Sequence, residues 1–224
     1  MFDVTCFVGA GPLASSTPAA LGELLRRSGV TSAAVSPMAG LFVSDPTVND
    51  VLRDLPPFFV PVPIVDPRWP PRVLASYRKH PAVRVVPGSH GYPASEARAL
   101  DMPVILQMRV ADPRNLPSDL PLPEVEVAEA VALSPMVVTG ARAHELSPIL
   151  TATQALADLS LAEQPDVVRR AVATFGADRL LIGTHAPFLT PEAARQKLLA
   201  ARLPQASFAA LTSENAARLN FILR

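Results

Sequence analysis

Residues 175–188, FGADRLLIGTHAPF, indicate the architecture of this chain most clearly. An amphipathic stretch, 160–175, ends where this segment starts. A short apolar run follows at 180–183, and a second amphipathic stretch begins at Thr190. An apolar run of this length between turn residues is typical of a fully buried strand. A buried strand between two amphipathic helices is the repeating unit of α/β proteins with a parallel sheet.

The same alternation recurs along the whole chain. Eight short runs rich in valine and isoleucine fit buried strands of about five residues. These runs are residues 2–8, 32–36, 58–65, 83–86, 104–110, 136–139, 149–153 and 180–183. Amphipathic stretches lie between them, several with a proline at the first helical position, as after Thr17 and Thr190. The predicted helices are residues 18–28, 47–55, 70–80, 94–100, 123–133, 160–175, 190–202 and 204–223.

Eight strands that alternate with helices predict an α/β fold, a compact (β/α)8 TIM-like barrel that forms one domain over residues 1–224. The connection 141–147, ARAHELS, is too short for a full helix, so one degenerate helix is expected there. The proline-rich segment 112–123 is expected to be a loop at the barrel rim. An open doubly wound sheet is the alternative, but GAGP after the first strand lacks the glycine-rich dinucleotide-binding pattern.

The composition excludes several classes of protein. Twenty Lys and Arg balance twenty Asp and Glu, and aromatic residues make up only 5% of the chain, which disfavours nucleic acid and acidic membranes as partners. The single cysteine excludes an internal disulfide and a thiolate zinc cluster. No basic leader precedes the first strand, and no run approaches the ~20 apolar residues of a membrane span. We therefore expect a cytoplasmic protein, and a homo-oligomer is left open.

Several of these segments resemble one protein family. Residues 175–188 resemble the FGADRLLFGSDAPF at strand eight of the metal-dependent amidohydrolases of the amidohydrolase 2 type. The opening FDVTCFVGAG is similar to their first strand, which reads D-x-H-x-H-x-G, and the tail SENAARL resembles their G-N-A-x-R-L. Segments 29–50, 58–67, 87–92 and 103–109 resemble the strands and loops in between. The resemblance spans nearly the whole chain and implies a TIM barrel with hydrolase-like ancestry.

The residues that hold the metal in this family are replaced. The two histidines of the H-x-H pair correspond to Thr5 and Phe7, and the strand-eight aspartate corresponds to His185. Period-2 alternation places Asp3, Thr5 and Phe7 on the barrel-facing side of the first strand, where Asp3 is expected to pair with Arg84. A catalytic metal needs three or more nitrogen or oxygen donors and an open position. We therefore expect a degenerate metal site, with no metal and no cofactor.

The remaining polar residues predict a site at the barrel mouth. His185 follows strand eight and could act as a catalytic general base near neutral pH. Arg109 and Gln107 share a face of strand five. Arg109 suits a substrate carboxylate, unless it forms an ion pair with Asp66 or Asp112 or lies in solvent at the rim. His90, in the loop GSHGY, is expected to contact the substrate or to stabilise its loop. Convergence of these four residues predicts a pocket for a small anionic molecule.

Three functions remain open from the sequence. The first is a metal-free, non-catalytic relative of the amidohydrolases that binds a small acidic ligand. The second is a metal-independent hydrolase or decarboxylase, with His185 as the base and Arg109 holding a substrate carboxylate. The third is a metalloenzyme whose ligands have moved to His90, His144 and His185. The substituted ligands favour the first function, and the fold alone identifies no substrate.

Overall fold

The computed structural model describes residues 1–110, 124–164 and 166–221. The predicted rim loop 112–123 and the first residue of the predicted helix 123–133 lie outside these ranges. The strands are β1 (Phe2–Ala10), β2 (Ser15–Ser16), β3 (Ser32–Pro37), β4 (Phe59–Pro61), β5 (Val83–Val85), β6 (Val104–Gln107), β7 (Val137–Thr139), β8 (Leu156–Asp158) and β9 (Leu180–Leu181). The helices are α1 (Pro18–Arg27), α2 (Pro71–Ala75), α3 (Pro87–His90), α4 (Val127–Leu133), α5 (Ala143–Ala152), α6 (Val167–Phe175), α7 (Pro191–Ala200), α8 (Gln205–Ala209) and α9 (Asn215–Arg218). Short 3-10 helices cover Ala39–Leu41, Pro46–Leu52, Ala94–Ala99 and Ala177–Arg179, and a π-helical turn covers Ala210–Glu214.

The eight parallel strands close into a barrel, as the alternation predicts. β1, β3 and β4 pair in one parallel sheet, β5 to β9 pair in a second, and the small strand β2 pairs antiparallel with the end of β1. At one seam, the Val65 amide donates to the Arg84 carbonyl (2.9 Å) and the Arg84 amide to the Pro63 carbonyl (2.7 Å). At the other, the Val4 amide donates to the Ile182 carbonyl (3.1 Å) and the His185 amide to the Thr5 carbonyl (2.8 Å). Backbone hydrogen bonds therefore cross both seams.

The predicted seventh strand is wrong. Residues 149–152 belong to α5, Thr153 follows its last turn, and the strand comes later as β8. The connection 141–147 is likewise no degenerate helix, because α5 begins within it and continues through Pro148. The Glu145 carboxylate accepts a hydrogen bond from the Arg142 backbone amide (2.7 Å) at the start of this helix. That cap starts the helix early enough for a full α5 before β8.

Other predicted elements are present but shorter. The predicted strand 58–65 pairs regularly only over β4, because Pro61 and Pro63 lack amide hydrogens for a ladder. The predicted helix 47–55 is the 3-10 helix Pro46–Leu52, and the predicted helix 70–80 is α2 followed by turns. The predicted helix 204–223 is divided into α8, the π-helical turn and α9, and residues 222–224 lie outside the described part.

The first outer helix shows why the helices pack around the barrel. In α1, the Thr17 hydroxyl caps the start by accepting from the Ala20 amide (3.2 Å), and Pro18 occupies the first turn. Leu21 and Leu25, four residues apart, are fully buried against the outward-facing side of β1. Among the described residues, no helix has the length and apolar character needed to cross a membrane.

The bottom of the barrel interior is an apolar layer. Each of the eight parallel strands or its immediate flank contributes one buried residue: Val4, Ala34, Val62, Ala82, Ile105, Val137, Leu156 and Leu181. Phe2 and Phe221 stack below them with ring centroids 5.9 Å apart. The interior is thus a packed core at this level, as is usual for a (β/α)8 barrel. The polar side chains of the barrel interior described below lie above this apolar layer.

The alternation predicted along β1 is interrupted. The pairing of β1 with β3 shifts register between Asp3 and Cys6, which marks a β-bulge. Phe2 and Val4 therefore belong to the interior layer, whereas Asp3 accepts hydrogen bonds from the Thr184 hydroxyl (2.6 Å) and amide (2.9 Å). The expected pairing of Asp3 with Arg84 is wrong for this reason. After the bulge, Phe7 packs with the inward-facing Ile64 and Val86.

Candidate functional site

An arginine occupies the centre of the barrel interior. Arg84 is fully buried and donates to the Ser36 hydroxyl (2.9 Å), the Thr139 hydroxyl (2.8 Å) and the Val4 carbonyl (3.3 Å). Its fourth partner is the Gln107 side-chain oxygen. Burial lowers the pKa of Arg84 to about 10, with Asp158 opposing the shift, so the guanidinium stays charged at neutral pH. A buried charge is stable only when it is paired or hydrogen-bonded, and the four partners of Arg84 meet this need.

The resemblance assigns the metal-binding histidine pair to Thr5 and Phe7, which lie directly above Arg84 and its hydrogen-bond partners. Thr5 and Phe7 are fully buried. The Phe7 ring meets the His185 ring edge-on, with centroids 5.3 Å apart, and lies 5.6 Å from the Phe188 ring. On its other side the Arg84 guanidinium lies 5.2 Å from the ring centroid. A benzyl group therefore fills the space between the polar layer and the barrel mouth.

His185 is held as a neutral imidazole. Its Nε2 atom faces the Val110 carbonyl, which can only accept, so Nε2 carries the proton. Its Nδ1 atom is then an acceptor and lies 3.4 Å from the Ser160 hydroxyl oxygen. Burial lowers the pKa of His185 to about 4, so the ring is uncharged at neutral pH. The backbone of His185 is left-handed, with φ of +58°, which is uncommon outside glycine. The hydrogen bond from the His185 amide to the Thr5 carbonyl (2.8 Å) helps to hold this conformation.

Asp158 and Ser160 extend this arrangement along β8. Asp158 Oδ1 accepts from the Ser160 hydroxyl (2.9 Å) and from the Gly140 amide (3.2 Å). Asp158 Oδ2 and the Thr5 hydroxyl are buried without a hydrogen-bond partner in the described part of the chain. Both lie beside Gly183, where an added Cβ would come within 2.3 Å of Asp158 Oδ2 and 3.0 Å of Thr5 Cβ. Because the Ser160 hydroxyl has one hydrogen, it cannot donate to Asp158 and to His185 Nδ1 at the same time. The three polar groups lie together beside a narrow gap.

Arg109 is engaged by an acidic neighbour. Its guanidinium donates to both carboxylate oxygens of Glu145, at 2.6 and 2.7 Å, and to the Gly140 carbonyl at 2.7 Å. Glu124 approaches its Nε atom at 3.5 Å. Burial tends to raise the pKa of Glu145, but the hydrogen bonds from Arg109 outweigh it and hold the pKa below its usual range. Arg109 thus forms an ion pair with an acid from α5. Of the two partners expected from the sequence, Asp66 pairs with Arg68 (2.6 Å) and Asp112 lies outside the described residues.

Gln107 and His90 have separate partners. The Gln107 amide nitrogen donates to the Arg109 carbonyl (2.6 Å), and the Gln107 side-chain oxygen accepts from Arg84. Gln107 therefore links the two arginines. His90 Nε2 lies 2.9 Å from the Gly40 carbonyl, and the His90 carbonyl accepts from Arg68 (2.8 Å). The hydrogen bonds thus connect Gln107 and Arg109, whereas His90 joins a different part of the rim. His185, Gln107 and Arg109 are 0%, 1% and 3% exposed. The catalytic role predicted for His185 stays a prediction, and so do the substrate-binding roles predicted for Arg109, Gln107 and His90.

The donors at the corresponding metal position do not fit a catalytic metal. Phe7 has no donor atom, Thr5 offers one neutral hydroxyl, and His185 offers only Nδ1, because its Nε2 is bonded to a backbone carbonyl. A metal site needs several donors that converge on one point. Across the described ranges, no group of three histidine, cysteine or acidic side chains converges in this way, and this includes the predicted set His90, His144 and His185.

Three residues of this interior were not predicted to have a role: Asp158, Ser160 and Thr139. Asp158 and Ser160 were missed because the seventh strand was placed one element too early, at 149–153. The alternation of Leu156, Asp158 and Ser160 in LADLS was the available signal, since it is the period of a strand with one face inward. Thr139 lay at the end of a predicted strand, but nothing in the sequence indicates that it would contact Arg84.

Comparison with solved structures supports the fold over nearly all of the chain. A 2,6-dihydroxybenzoate decarboxylase from Rhizobium is 16% identical with a TM-score of 0.66, and the match covers 97% of this chain and 98% of that one. An amidohydrolase from Burkholderia multivorans is 13% identical with a TM-score of 0.66, over 99% of each chain. A 5-carboxyvanillate decarboxylase from Sphingomonas paucimobilis is 12% identical with a TM-score of 0.66, again over 99% of each. No family model matches the sequence, and no curated protein matches it.

The identities are low, so these neighbours establish the fold and not the chemistry. They agree with the resemblance of residues 175–188 and of the opening strand to the amidohydrolase 2 type. The closure of β1 onto β9 and the position of His185 after β9 place both segments where that resemblance requires them. The chain therefore has the TIM-barrel fold that these solved structures share, over nearly its whole length.

Proposed function

We propose that this chain is a degenerate amidohydrolase-type barrel, which keeps the fold and lacks the metal-dependent catalysis of the family. The observation that carries this proposal is the pair Thr5 and Phe7. At the positions that the resemblance assigns to two metal-binding histidines, one side chain has a single neutral hydroxyl and the other has no donor. The Phe7 ring also packs against His185 and Phe188 in the space that a metal and its ligands would need.

The surroundings of Arg109 support the same proposal. A residue that grips a substrate carboxylate keeps its guanidinium available, whereas Arg109 is 3% exposed and bidentate with Glu145. A small anionic ligand at the mouth, which the sequence predicts, would have to replace Glu145 on Arg109. We therefore propose that the retained function is binding rather than turnover.

A metal-independent hydrolase or decarboxylase is the second candidate, and one observation favours it. His185 has a fixed tautomer, and its Nδ1 acceptor faces Ser160, which is bonded to Asp158. With the Ser160 hydrogen directed to Asp158, the Nδ1 lone pair is available to accept a proton. However, a general base works best with a pKa near the working pH, and burial lowers the pKa of His185 to about 4. The proposal of a degenerate site therefore has the stronger physical support.

An activity assay distinguishes the two candidates. The purified chain is incubated with 2,6-dihydroxybenzoate and with 5-carboxyvanillate, the compounds named for two of the structural neighbours, with and without added Zn2+ or Mn2+. We expect the rates of the parent chain and of His185→Gln to equal that of buffer alone. A metal-independent rate that disappears in His185→Gln would establish the second candidate and overturn the first. A rate that requires the metal would overturn both.

A further inference from the structure

A pocket of about 390 Å³ lies on the outer flank of the barrel, and none of the residues at the mouth lines it. It is enclosed by the 3-10 helix Pro46–Leu52, the end of β4 and the turns that follow α2. We call it the flank pocket and define it by the lining residues Asn49, Arg53, Pro61, Tyr77, Lys79 and His80. Its volume lies within the range of about 300–1,000 Å³ that is usual for small-molecule sites.

The wall of the flank pocket is fixed by a buried amide. Asn49 is 7% exposed, its Oδ1 accepts from the Ile64 amide (2.9 Å), and its Nδ2 donates to the Ile64 carbonyl (2.9 Å). The same Nδ2 donates to the Tyr77 hydroxyl at 3.2 Å. The Tyr77 ring lies between Trp69 and His80, with centroid distances of 6.2 and 6.4 Å. The polar and aromatic groups of the pocket are therefore held in place before any ligand enters.

The charges around the flank pocket favour an anion. Arg53 and Lys79 are cationic, and Asp50 is the one acidic residue among the lining side chains. Asp50 pairs with Arg53 at 2.7 Å, which leaves the Lys79 ammonium without an ion pair or hydrogen bond in the described part of the chain. Burial, followed by the proximity of Lys79, lowers the pKa of His80, so this ring is neutral at neutral pH and adds no repulsion to a cationic site.

The lining of the flank pocket also has apolar side chains. They are Leu52, Pro61, Pro63 and the ring of Tyr77. A lining that combines apolar groups with one free ammonium is complementary to a molecule that has an apolar body and a single negative charge. We propose that the flank pocket binds a small organic monoanion of this kind, an aromatic carboxylate, with its carboxylate at Lys79 and its ring against Pro61, Pro63 and Tyr77.

The composition offers a direct reporter for this proposal. Lys79 and Lys197 are the two lysines of the chain. The Lys197 ammonium is half-buried and donates to the Leu159, Ser160 and Ala162 carbonyls at 2.7, 3.1 and 3.0 Å, so it serves as an internal reference. Reductive methylation with 13C keeps the charge of lysine and gives each modified amine its own NMR resonance. The Lys79 resonance is assigned with the variant Lys79→Arg.

Benzoate is the probe, and benzyl alcohol is its neutral control. We expect the Lys79 resonance to shift with benzoate and to reach a plateau, while the Lys197 resonance and the benzyl alcohol titration show no such shift. Lys79→Met should weaken benzoate binding about fivefold, as expected for one partly exposed charge pair, when binding is followed on the benzoate signals by saturation-transfer NMR. A Lys79 shift that grows linearly without a plateau, or that is equal for benzyl alcohol, would overturn the proposal.

Two further variants separate the pocket from general charge effects. Ser76→Phe places a ring at an exposed position of the pocket wall and should abolish benzoate binding while the amide spectrum stays that of the folded chain. Arg27→Gln, on the exposed face of α1, removes the same charge outside the pocket and should leave the affinity unchanged. Benzoate binding that survives Ser76→Phe, or that falls equally in Arg27→Gln, would show that the flank pocket is not the site.

Discussion

Replacing Arg109 by methionine tests whether this residue stabilises the folded chain or is available to bind a ligand. The guanidinium makes three short hydrogen bonds, two to Glu145 and one to the Gly140 carbonyl, and the Arg109 and Glu145 side chains are only 2% and 9% exposed. Arg109→Met leaves the Glu145 carboxylate buried, with the Arg142 backbone amide as its remaining donor. Breaking a buried pair by removing one partner costs about 3–5 kcal/mol, so we expect a loss of that size in the free energy of unfolding.

The measurement is denaturant unfolding of four chains: parent, Arg109→Met, Glu145→Met and the double variant. The double variant should be more stable than Arg109→Met, because it leaves no unpaired charge. Lowering the pH should also reduce the penalty of Arg109→Met. The pKa of Glu145 lies below its usual range in the parent, so the stability from its ionised form is present at neutral pH and is lost as the pH falls through that pKa.

Arg27→Met, at an exposed position of α1, is the matched control and should change the unfolding free energy by less than about 0.5 kcal/mol. If Arg109→Met unfolded at the same denaturant concentration as the parent, the structural role of Arg109 would be refuted. Arg109 would then be free to bind a ligand, as the sequence first predicts.

Three further outcomes follow from the buried interior. Phe7→Ala removes a fully buried ring and should cost about 3–5 kcal/mol of unfolding free energy, measured by denaturant melts; a loss below 1 kcal/mol would mean that the ring does not fill the interior. Burial raises the pKa of Asp3 to about 7, so the folded chain binds a proton that the unfolded chain releases near pH 4, and stability should fall as the pH rises between these values. Asp3→Asn should flatten that dependence, and an unchanged slope in unfolding experiments at pH 5 and 7.5 would contradict the assignment. Gly183→Ala should lower the melting temperature, because the alanine Cβ would lie 2.3 Å from Asp158 Oδ2. An unchanged melting temperature would mean that the space beside Gly183 can hold a methyl group.

The sequence predicts the barrel well because its strongest pattern is local. Short Val- and Ile-rich runs between capped helices define most of the strands, and residues 175–188 identify the last one. The errors arise where two local patterns compete. Residues 149–153 are rich in β-branched side chains, yet the cap formed by Glu145 starts a helix that continues to Ala152. Packing of α5 onto the sheet decides this, and a short window does not contain that information.

The site is harder to predict because its geometry depends on contacts between distant strands. Alternation correctly places Thr5 and Phe7 inside the barrel but cannot detect the bulge that turns Asp3 toward Thr184. The position of His185 follows from its strand, whereas its bond to the Val110 carbonyl depends on a loop 75 residues away. The partner of Arg109 lies on α5, in a segment where the sequence predicts only a degenerate helix. These contacts join residues far apart in the chain, and a short stretch of sequence does not specify them.

Metal binding tests the proposal of a degenerate metal site most directly. Zn2+ and Mn2+ are titrated by calorimetry into the metal-stripped parent chain and into the combined variant Thr5→His, Phe7→His, His185→Asp, which restores the three donors that the resemblance assigns. We predict no saturable site in the parent and a measurable site of about one equivalent in the variant, because it supplies the converging donors that a metal requires. Tight binding of one equivalent by the parent, abolished by His185→Gln, would contradict the claim.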